Sequence, residues 1–185
     1  DKYHRRVFDV PTPRPGIPIA SGLKRSGRRL LTVGTDCALG KKYTALAIAR
    51  GLKARRIDAT FRATGQTGIM IAGEGMPLDS VVADFIAGAA EVLSPNAAPE
   101  HIDIIEGQGS IFHPSYAGVA LGLLHGSQPD RFVVCHEPGR THVLGHPEFP
   151  LPSIEQVIEQ TIALGRLTNP GIRCAGISLN TARFD

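Results

Sequence analysis

The stretch from Leu30 to Thr44 limits the possible folds of this chain more than any other. It reads LLTVGTDCALGKKYT: an apolar run typical of a buried strand, a turn bounded by Gly34 and Gly40, and Lys41 opening a helical pattern. A strand, a glycine turn and a helix that starts with lysine form a phosphate-binding loop, because backbone N–H groups converge in the turn and the helix N-terminus carries partial positive charge. The stretch therefore predicts a phosphate-bearing ligand.

The loop departs from the usual pattern G-x-x-x-x-G-K-[ST] in two ways. Five residues separate Gly34 from Gly40, one more than usual, and Lys42 stands where Ser or Thr normally binds magnesium. The nearest hydroxyl downstream is that of Thr44. A cation at the magnesium position argues against ordinary Mg-ATP hydrolysis. An ordinary junction between a strand and a helix is the alternative to a phosphate site.

The rest of the chain alternates short apolar runs with helical patterns, which predicts a mainly parallel sheet with helices on both faces. The fold class is therefore α/β, three-layered and P-loop NTPase-like. Strands are expected at 29–33, 59–63, 102–105, 131–135 and 174–179, and helices at 41–55, 78–93, 115–124 and 153–167. Residues 69–72 are expected to form a brief strand or a buried loop, and residues 147–152 a proline-rich loop.

The domain boundary is expected at residue 28. Residues 1–27 are predicted to be a linker, because four prolines between residues 11 and 18 favour extended chain and exclude a helix. Residues 28–185 form the predicted P-loop-like domain. The chain begins with Asp1 rather than Met and stops just after the last strand pattern. We expect a piece of a longer protein, with a domain missing before it and a truncation at its C-terminus.

Composition excludes several classes of function. The net charge is only +3, and the densest basic run, residues 24–29, lacks interleaved aromatic residues, so we expect a solvated segment and no nucleic-acid partner. The apolar runs are too short to span a membrane. Three cysteines without metal-ligand spacing, and no secretory segment, indicate a cytoplasmic protein without a structural metal.

Polar side chains follow the carboxyl ends of the predicted strands. In parallel α/β sheets ligands bind beyond these ends, so the side chains are expected to face one common crevice. They belong to Asp36, Lys41, Gln66, Thr67, Glu106, Gln108, His136, Arg140 and Asn180.

Four of the candidate residues allow two interpretations each. Glu106 ends an apolar strand and could be a metal ligand or general base, or a carboxylate that caps loop N–H groups. Asp36 could bind metal or satisfy the amides of its own turn. His113 could be an acid or base, or a structural loop histidine. Arg140 could clamp an anion, or could form a local ion pair with Glu137.

Four ordered motifs resemble a bacterial and archaeal family long described as of unknown function. They are GTDCALGKKYT at 34–44, ATGQTG at 63–68, EGQGS at 106–110 and HEPGR at 136–140. The characterised members of that family resemble D-glutamate (D-amino-acid) N-acetyltransferases that use acetyl-CoA. The loop spacing also resembles that of dethiobiotin synthetase and its relatives. The resemblance implies a C-terminal P-loop domain that follows an N-terminal Rossmann-like domain.

This resemblance implies an acyltransferase whose loop holds the phosphates of acetyl-CoA. Glu106 is the first choice for the base and His113 the second, with the Gln108 amide facing the oxyanion. Arg62 or Arg140 would clamp one carboxylate of an amino acid substrate, and Gln66 and Thr67 the other. The cofactor-binding residues would be Gly34, Thr35, Asp36, Cys37, Gly40, Lys41, Lys42, Tyr43, Thr44 and Asn180.

Two other functions stay open at the level of sequence. One is a ligase or kinase-like enzyme that uses ATP with magnesium, with Thr44, Asp36 and Glu106 around the metal. The other is a non-catalytic nucleotide-binding domain. Helical patterns rich in alanine and glycine at 81–93 and 117–124 would also allow close packing against a second copy, so a homo-oligomer is expected.

Overall fold

Five parallel strands form the central sheet of the computed structural model, which describes residues 10 and 12–184. The order across the sheet is second, third, first, fourth and seventh strand, all pairs being parallel. The fifth and sixth strands form a separate antiparallel pair. In chain order the strands are β1 (Arg28–Gly34), β2 (Ala59–Arg62), β3 (Ile102–Ile105), β4 (Arg131–His136), β5 (His142–Val143), β6 (His146–Pro150) and β7 (Arg173–Leu179).

Helices cover both faces of this sheet. They are α1 (Lys41–Ala54), α2 (Gln66–Ala72), α3 (Ile86–Leu93), α4 (Ala117–Ser127) and α5 (Ile154–Gly165). Leu30 packs with Ala45 and Ala49 of α1, whereas the next residue, Leu31, belongs to the cluster that contains Leu123 of α4. Successive side chains of a strand point to opposite faces, so α1 lies on one face and α4 on the other. The expected three-layer α/β fold is confirmed.

The segment after β2 differs from the sequence-based expectation. Residues 69–72 lie in helix α2, not in a strand or buried loop, and Met70 is 72% exposed. The apolar character of residues 69–72 therefore does not indicate burial. Only residues 86–93 of the expected helix at 78–93 form an α-helix, after single 3-10 turns at 78–80 and 83–85. The N–H of Leu78 donates to the Thr64 carbonyl, so this stretch is tied to the end of β2 instead of starting a helix.

The expected proline-rich loop is partly a hairpin. Strands β5 and β6 pair antiparallel, with Pro147 and Pro150 both in β6. A two-stranded ribbon has a free edge, and proline is tolerated there because no ladder hydrogen bond is lost. This hairpin matters for function because it contacts the glycine turn that follows β1.

The basic run at 24–29 is only in part the solvated segment that its charge suggests, because Lys24 and Arg28 are exposed but Arg25 and Arg29 are not. Arg29 is 1% exposed, and its Nε donates to Ser94 Oγ at 2.8 Å. Arg25 Nη2 donates to the Gly126 carbonyl at 2.7 Å. Buried cations need such acceptors, because losing water around a charge is costly. The run therefore attaches the start of the domain to the ends of α3 and α4. The earlier part of the expected linker, residues 1–9 and 11, lies outside the described residues.

Candidate active site

The glycine turn between β1 and α1 has the backbone of a phosphate-binding loop. Gly40 precedes α1 with a left-handed φ of 97°, and Ala38 also has a positive φ, 53°. Lys41 begins the helix and its ammonium donates to the Asp36 carbonyl at 2.7 Å, across the turn. Burial lowers the pKa of Lys41, whose side chain is almost enclosed. The turn, the helix N-terminus and the lysine thus converge as in an anion-binding site.

A front crevice opens beside this loop, with a volume of about 400 Å³. It is lined by loop residues 37–43 and by residues 106–109, which follow β3. The crevice therefore brings Lys41 together with Glu106 and Gln108, as the shared edge of parallel strand ends predicts, and Lys42 lines it as well. Two ammonium groups, a carboxylate and an amide are available to one ligand.

Glu106 has one carboxylate oxygen fixed and the other free. Its Oε2 accepts N–H donors from Thr64 at 3.0 Å and Gly65 at 3.2 Å. Its Oε1 accepts no hydrogen bond from any described residue. Burial raises the pKa of Glu106, and this outweighs the two N–H donors and the nearby Lys42, which lower it. A carboxylate with a raised pKa and a free oxygen is suited to accept a proton.

Thr64 joins the two polar groups of the crevice, although the sequence analysis did not select it. Its hydroxyl donates to the Glu106 carbonyl at 2.7 Å and accepts from Gln108 Nε2 at 2.9 Å. The position of Thr64 directly after a strand was the available signal. The hydroxyl orients the Gln108 amide and keeps it beside Glu106.

Lys42 lies over an aromatic ring at the edge of the crevice. Its ammonium is 4.7 Å from the centroid of the Tyr43 ring, which is 67% exposed. Within the described part of the chain Lys42 forms no salt bridge. A cation–π contact orients the ammonium while its hydrogen-bond donors stay available. The group at the usual magnesium position is thus an oriented, accessible cation.

An uncharged groove starts on the other side of Tyr43. It has a volume of about 210 Å³ and shares Gly40 and Tyr43 with the front crevice. Thr44 Oγ1 and Ser178 Oγ lie 2.9 Å apart within it, and Asn180 closes its end. A ligand whose phosphates occupy the loop would therefore meet hydroxyl and amide groups on this side and charges on the other.

A rear cluster lies behind the loop, made of Asp36, Glu137, Arg140 and Leu144. Asp36 Oδ2 accepts from Arg140 Nη1 at 2.9 Å and from the Leu144 N–H at 2.8 Å, and Oδ1 accepts the Cys37 N–H at 2.7 Å. Arg140 also binds Glu137. Burial tends to raise the pKa of Asp36, but these donors outweigh it and hold the pKa below its usual range. Asp36 therefore ties the loop to the β5–β6 hairpin.

His113 is also behind the loop, and its protonation argues against a metal. Its Nδ1 accepts the Ser115 N–H, so the network assigns the proton of the neutral ring to Nε2, which lies 3.9 Å from Asp36 Oδ1. Donor atoms of Asp36, Cys37 and His113 lie within 4.8 Å of one another. A metal would have to replace the Nε2 proton of a ring whose pKa is lowered by burial, and which the nearby ammonium of Lys41 already helps to lower. The group does not fit a cation.

Several other predicted residues lie away from the front crevice. Arg62 Nε donates to Asp103 Oδ1 at 2.7 Å and lines a different groove. Thr35 Oγ1 is 3.1 Å from His136 Nδ1. Gln66 and Thr67 are exposed in the first turn of α2 and follow Gly65 directly. The strand ends therefore supply three environments: the front crevice, the uncharged groove and the rear cluster.

No described helix has the length and apolar character needed to cross a bilayer.

Comparison with protein families gives one match that covers most of the chain. Residues 18–185 match a domain of unknown function, the DUF1611 P-loop domain. The chain is 54% identical over 181 residues to a D-glutamate N-acetyltransferase of Pseudoalteromonas sp, covering 98% of this chain and 54% of the relative. It is 52% identical over 177 residues to a D-glutamate N-acetyltransferase of Tritonibacter scottomollicae, with coverages of 96% and 53%. The chain thus spans about half the length of these curated relatives.

Solved structures agree with this match. A DUF1611 family protein from Anabaena variabilis superposes with a TM-score of 0.88 at 38% identity, covering 96% of this chain and 53% of that one. A nucleotide-binding protein from Archaeoglobus fulgidus, solved in complex with ADP, gives a TM-score of 0.54 at 14% identity, with coverages of 84% and 67%. The second likeness concerns the fold alone.

Proposed function

The chain belongs to the DUF1611 family through its P-loop domain, and on that premise we propose that it is part of an N-acetyltransferase. The enzyme would move the acetyl group of acetyl-CoA to the amine of a D-amino acid, D-glutamate in the first instance. The names of the two curated relatives, at 54% and 52% identity, support this reaction. The observation that carries the assignment to this site is the front crevice, where the ammonium of Lys42 and the free Oε1 of Glu106 flank the phosphate loop.

The phosphate loop would hold coenzyme A without magnesium. Coenzyme A is an adenine nucleotide with a diphosphate and a 3′-phosphate, so loop N–H groups and the ammonium of Lys41 can bind it. Lys42 would supply the positive charge that magnesium provides in ATP-binding loops. The uncharged groove with Thr44 and Asn180 offers hydrogen-bonding groups to the nucleoside part.

Glu106 would act as the general base. Acetyl transfer forms a bond between the amine nitrogen and the thioester carbon, breaks the carbon–sulfur bond and releases the nitrogen proton. Oε1 can accept that proton, because Oε2 is held by two N–H groups and burial raises the pKa of the carboxyl. The second N–H of the Gln108 amide, and backbone N–H groups of residues 107–110, can donate to the carbonyl oxygen as negative charge develops.

The amino acid would bind at the start of α2. Gln66 and Thr67 are exposed beside Gly65, whose N–H binds Glu106, so they can donate to a substrate carboxylate close to the base. Arg62 and Arg140 already bind the carboxylates of Asp103 and Asp36, and a substrate would have to displace these partners. We therefore favour Gln66 and Thr67.

A ligand panel tests this proposal through thermal unfolding. A ligand that binds only the folded state raises the melting temperature. We expect CoA and acetyl-CoA to raise it in the presence of EDTA, and ATP to give a smaller shift with or without magnesium. Stabilisation by Mg-ATP alone would overturn the assignment and favour a ligase or kinase-like enzyme.

A variant pair isolates the role of Lys42 in the same assay. Lys42→Ser restores the usual hydroxyl, so we expect CoA affinity to fall by about tenfold, the loss of one charge-assisted contact. Lys53→Ser, at the other end of α1, removes the same charge and should leave affinity unchanged.

The missing N-terminal domain, the homo-oligomer and the cytoplasmic location stay predictions.

A further inference from the structure

Two glycines of the TGQTG motif lie against the polar groups of the front crevice. A Cβ placed on Gly68 would be 2.1 Å from Glu106 Oε2 and 2.9 Å from its Cδ. A Cβ on Gly65 would be 2.6 Å from Gln108 Nε2 and 3.5 Å from Glu106 Oε1. The shortest of these distances are well inside van der Waals contact. Any side chain at these positions would displace the carboxylate or the amide.

The backbone itself does not require glycine at either position. Gly65 is extended, with φ −123° and ψ 160°, and Gly68 lies inside helix α2 with no positive φ. Glycine weakens a helix relative to alanine, because it has more conformational freedom to lose. The close approach of Glu106 and Gln108 is therefore the physical reason for these two glycines.

The absence of two Cβ atoms also sets the orientation of Glu106. The N–H groups of Thr64 and Gly65 donate to Oε2 while the carboxylate lies against Gly68 at the start of α2. A methyl group at residue 68 would lie 2.1 Å from Oε2, too close for both to stay in place. The carboxylate would have to move away from both donors, and the free Oε1 would move with it.

We propose that Gly65 and Gly68 are positioning residues that set the Gln108 amide and the Glu106 carboxylate for acetyl transfer. This inference rests on the proposed function, because it takes Glu106 as the base. The two glycines would act through the two side chains that they admit into the crevice.

Gly68→Ala in the full-length protein is the main test. A displacement of about 1 Å can cost about a hundredfold in rate, so we expect kcat to fall by roughly that factor while the KM for acetyl-CoA changes less than about twofold. The lower limb of the pH profile of kcat should shift, because Glu106 loses its N–H donors. Gly118→Ala is the matched control, since a Cβ there has no neighbour within 4 Å on helix α4. It should leave kcat and the pH profile unchanged.

A double-mutant cycle separates positioning from loss of structure. In the Glu106→Gln background Gly68→Ala should cost little further activity, because the group that it displaces no longer acts as a base. In the Glu106→Asp background the shorter side chain leaves room for the methyl group, so Gly68→Ala should cost less than in the wild type. An equal cost in all three backgrounds overturns the inference, as does an unchanged kcat in Gly68→Ala.

The same set of variants distinguishes failure of the inference from failure of the proposed function. If Glu106→Gln retains full turnover, Glu106 is not the base and the proposed mechanism fails with the inference. If Glu106→Gln is inactive but Gly68→Ala keeps wild-type kcat and pH profile, only the positioning role fails. Gly65→Ala gives a second measurement through Gln108, with the same expected loss of kcat at nearly constant KM.

Discussion

The front crevice and the rear cluster lie on opposite sides of one loop, and they differ in how far their charged side chains are paired. In the rear, both oxygens of Asp36 accept hydrogen bonds, and Arg140 binds two carboxylates. In front, Glu106 keeps one oxygen free, and Lys42 lies over an aromatic ring and forms no salt bridge with any described residue. Both regions combine carboxylates with cationic side chains.

This difference separates charges that hold the fold from charges available to a ligand. A buried carboxylate whose two oxygens both accept hydrogen bonds from the protein is not readily available to a substrate, and removing it leaves its partners unpaired. A carboxylate with one fixed and one free oxygen is oriented and still reactive. Substitutions in the front crevice should therefore alter turnover, and substitutions in the rear cluster should alter stability first.

The largest expected effect is on turnover, in front. Glu106→Gln keeps the size of the side chain and an oxygen for the N–H donors, but removes the base. General base catalysis contributes about a hundredfold to ten-thousandfold, so kcat should fall by that range. Steady-state assays of the full-length protein with acetyl-CoA and a D-amino acid measure this. We expect a melting temperature close to that of the wild type. A large drop in it would contradict the distinction between front residues, which affect turnover, and rear residues, which affect stability.

The next effect is on stability, in the rear. Asp36→Ala leaves the guanidinium of Arg140 and the N–H of Leu144 without their carboxylate, and breaking such a buried pair costs about 3 kcal/mol. Urea denaturation should show this loss in the free energy of unfolding. The double variant Asp36→Ala/Arg140→Met removes the unpaired charge and should recover part of it. An unchanged free energy of unfolding in Asp36→Ala would contradict the structural role.

The two carboxyl groups should also give opposite pH dependences of stability. The folded-state pKa of Asp36 is lowered from 3.8, so its stabilising contribution is present above that pH and is lost as pH falls through the folded value. The pKa of Glu106 is raised from 4.5, so its contribution is complete below that pH and is lost as pH rises through the folded value. Urea denaturation of the wild type, Asp36→Asn and Glu106→Gln across the acid range measures both. Slopes of the same sign would contradict the assigned environments.

The smallest expected effect calibrates the others. Ser153 caps α5, accepting the Gln156 N–H while the Gln156 side chain binds the Ser153 N–H. Ser153→Ala should cost about 1 kcal/mol of stability, the usual value for a lost N-cap. Turnover should not change, because α5 contributes no residue to the front crevice. If turnover falls together with stability in Ser153→Ala, a loss of turnover in the Asp36 variants cannot be assigned to a change in the phosphate-binding loop.

Local patterns predicted most of the framework. The strands at 28–34, 102–105 and 131–136 and the helix that starts at Lys41 agree with expectation, because apolar periodicity reports burial directly. The resemblance of four motifs to the acetyltransferase-like family agrees with the family match. Of the nine polar residues expected in one crevice, Lys41, Glu106 and Gln108 line it together, as the shared edge of parallel strands predicts, and the others do not.

The errors occurred where long-range contacts override local pattern. Residues 69–72 look like a buried segment, yet Met70 and Ile71 are exposed on α2. The basic run at 24–29 looks solvated, yet Arg29 is buried by acceptors such as Ser94, 65 positions along the chain. For Arg140 the sequence left open an anion clamp or an ion pair with Glu137; the structure shows the ion pair with Glu137 and adds a second one with the distant Asp36.

The sequence by itself determined that a phosphate loop follows the first strand and that a lysine replaces the magnesium ligand. These features are local, because a few consecutive residues fix the turn, the helix start and the nearest charge. Only the tertiary structure decided which charges remain available. Asp36 meets Arg140 and Leu144 at separations of 104 and 108 residues, whereas Glu106 meets the start of α2 with one oxygen to spare. Whether a charged side chain already has partners or remains available to a ligand depends on packing between distant segments, which no local pattern encodes.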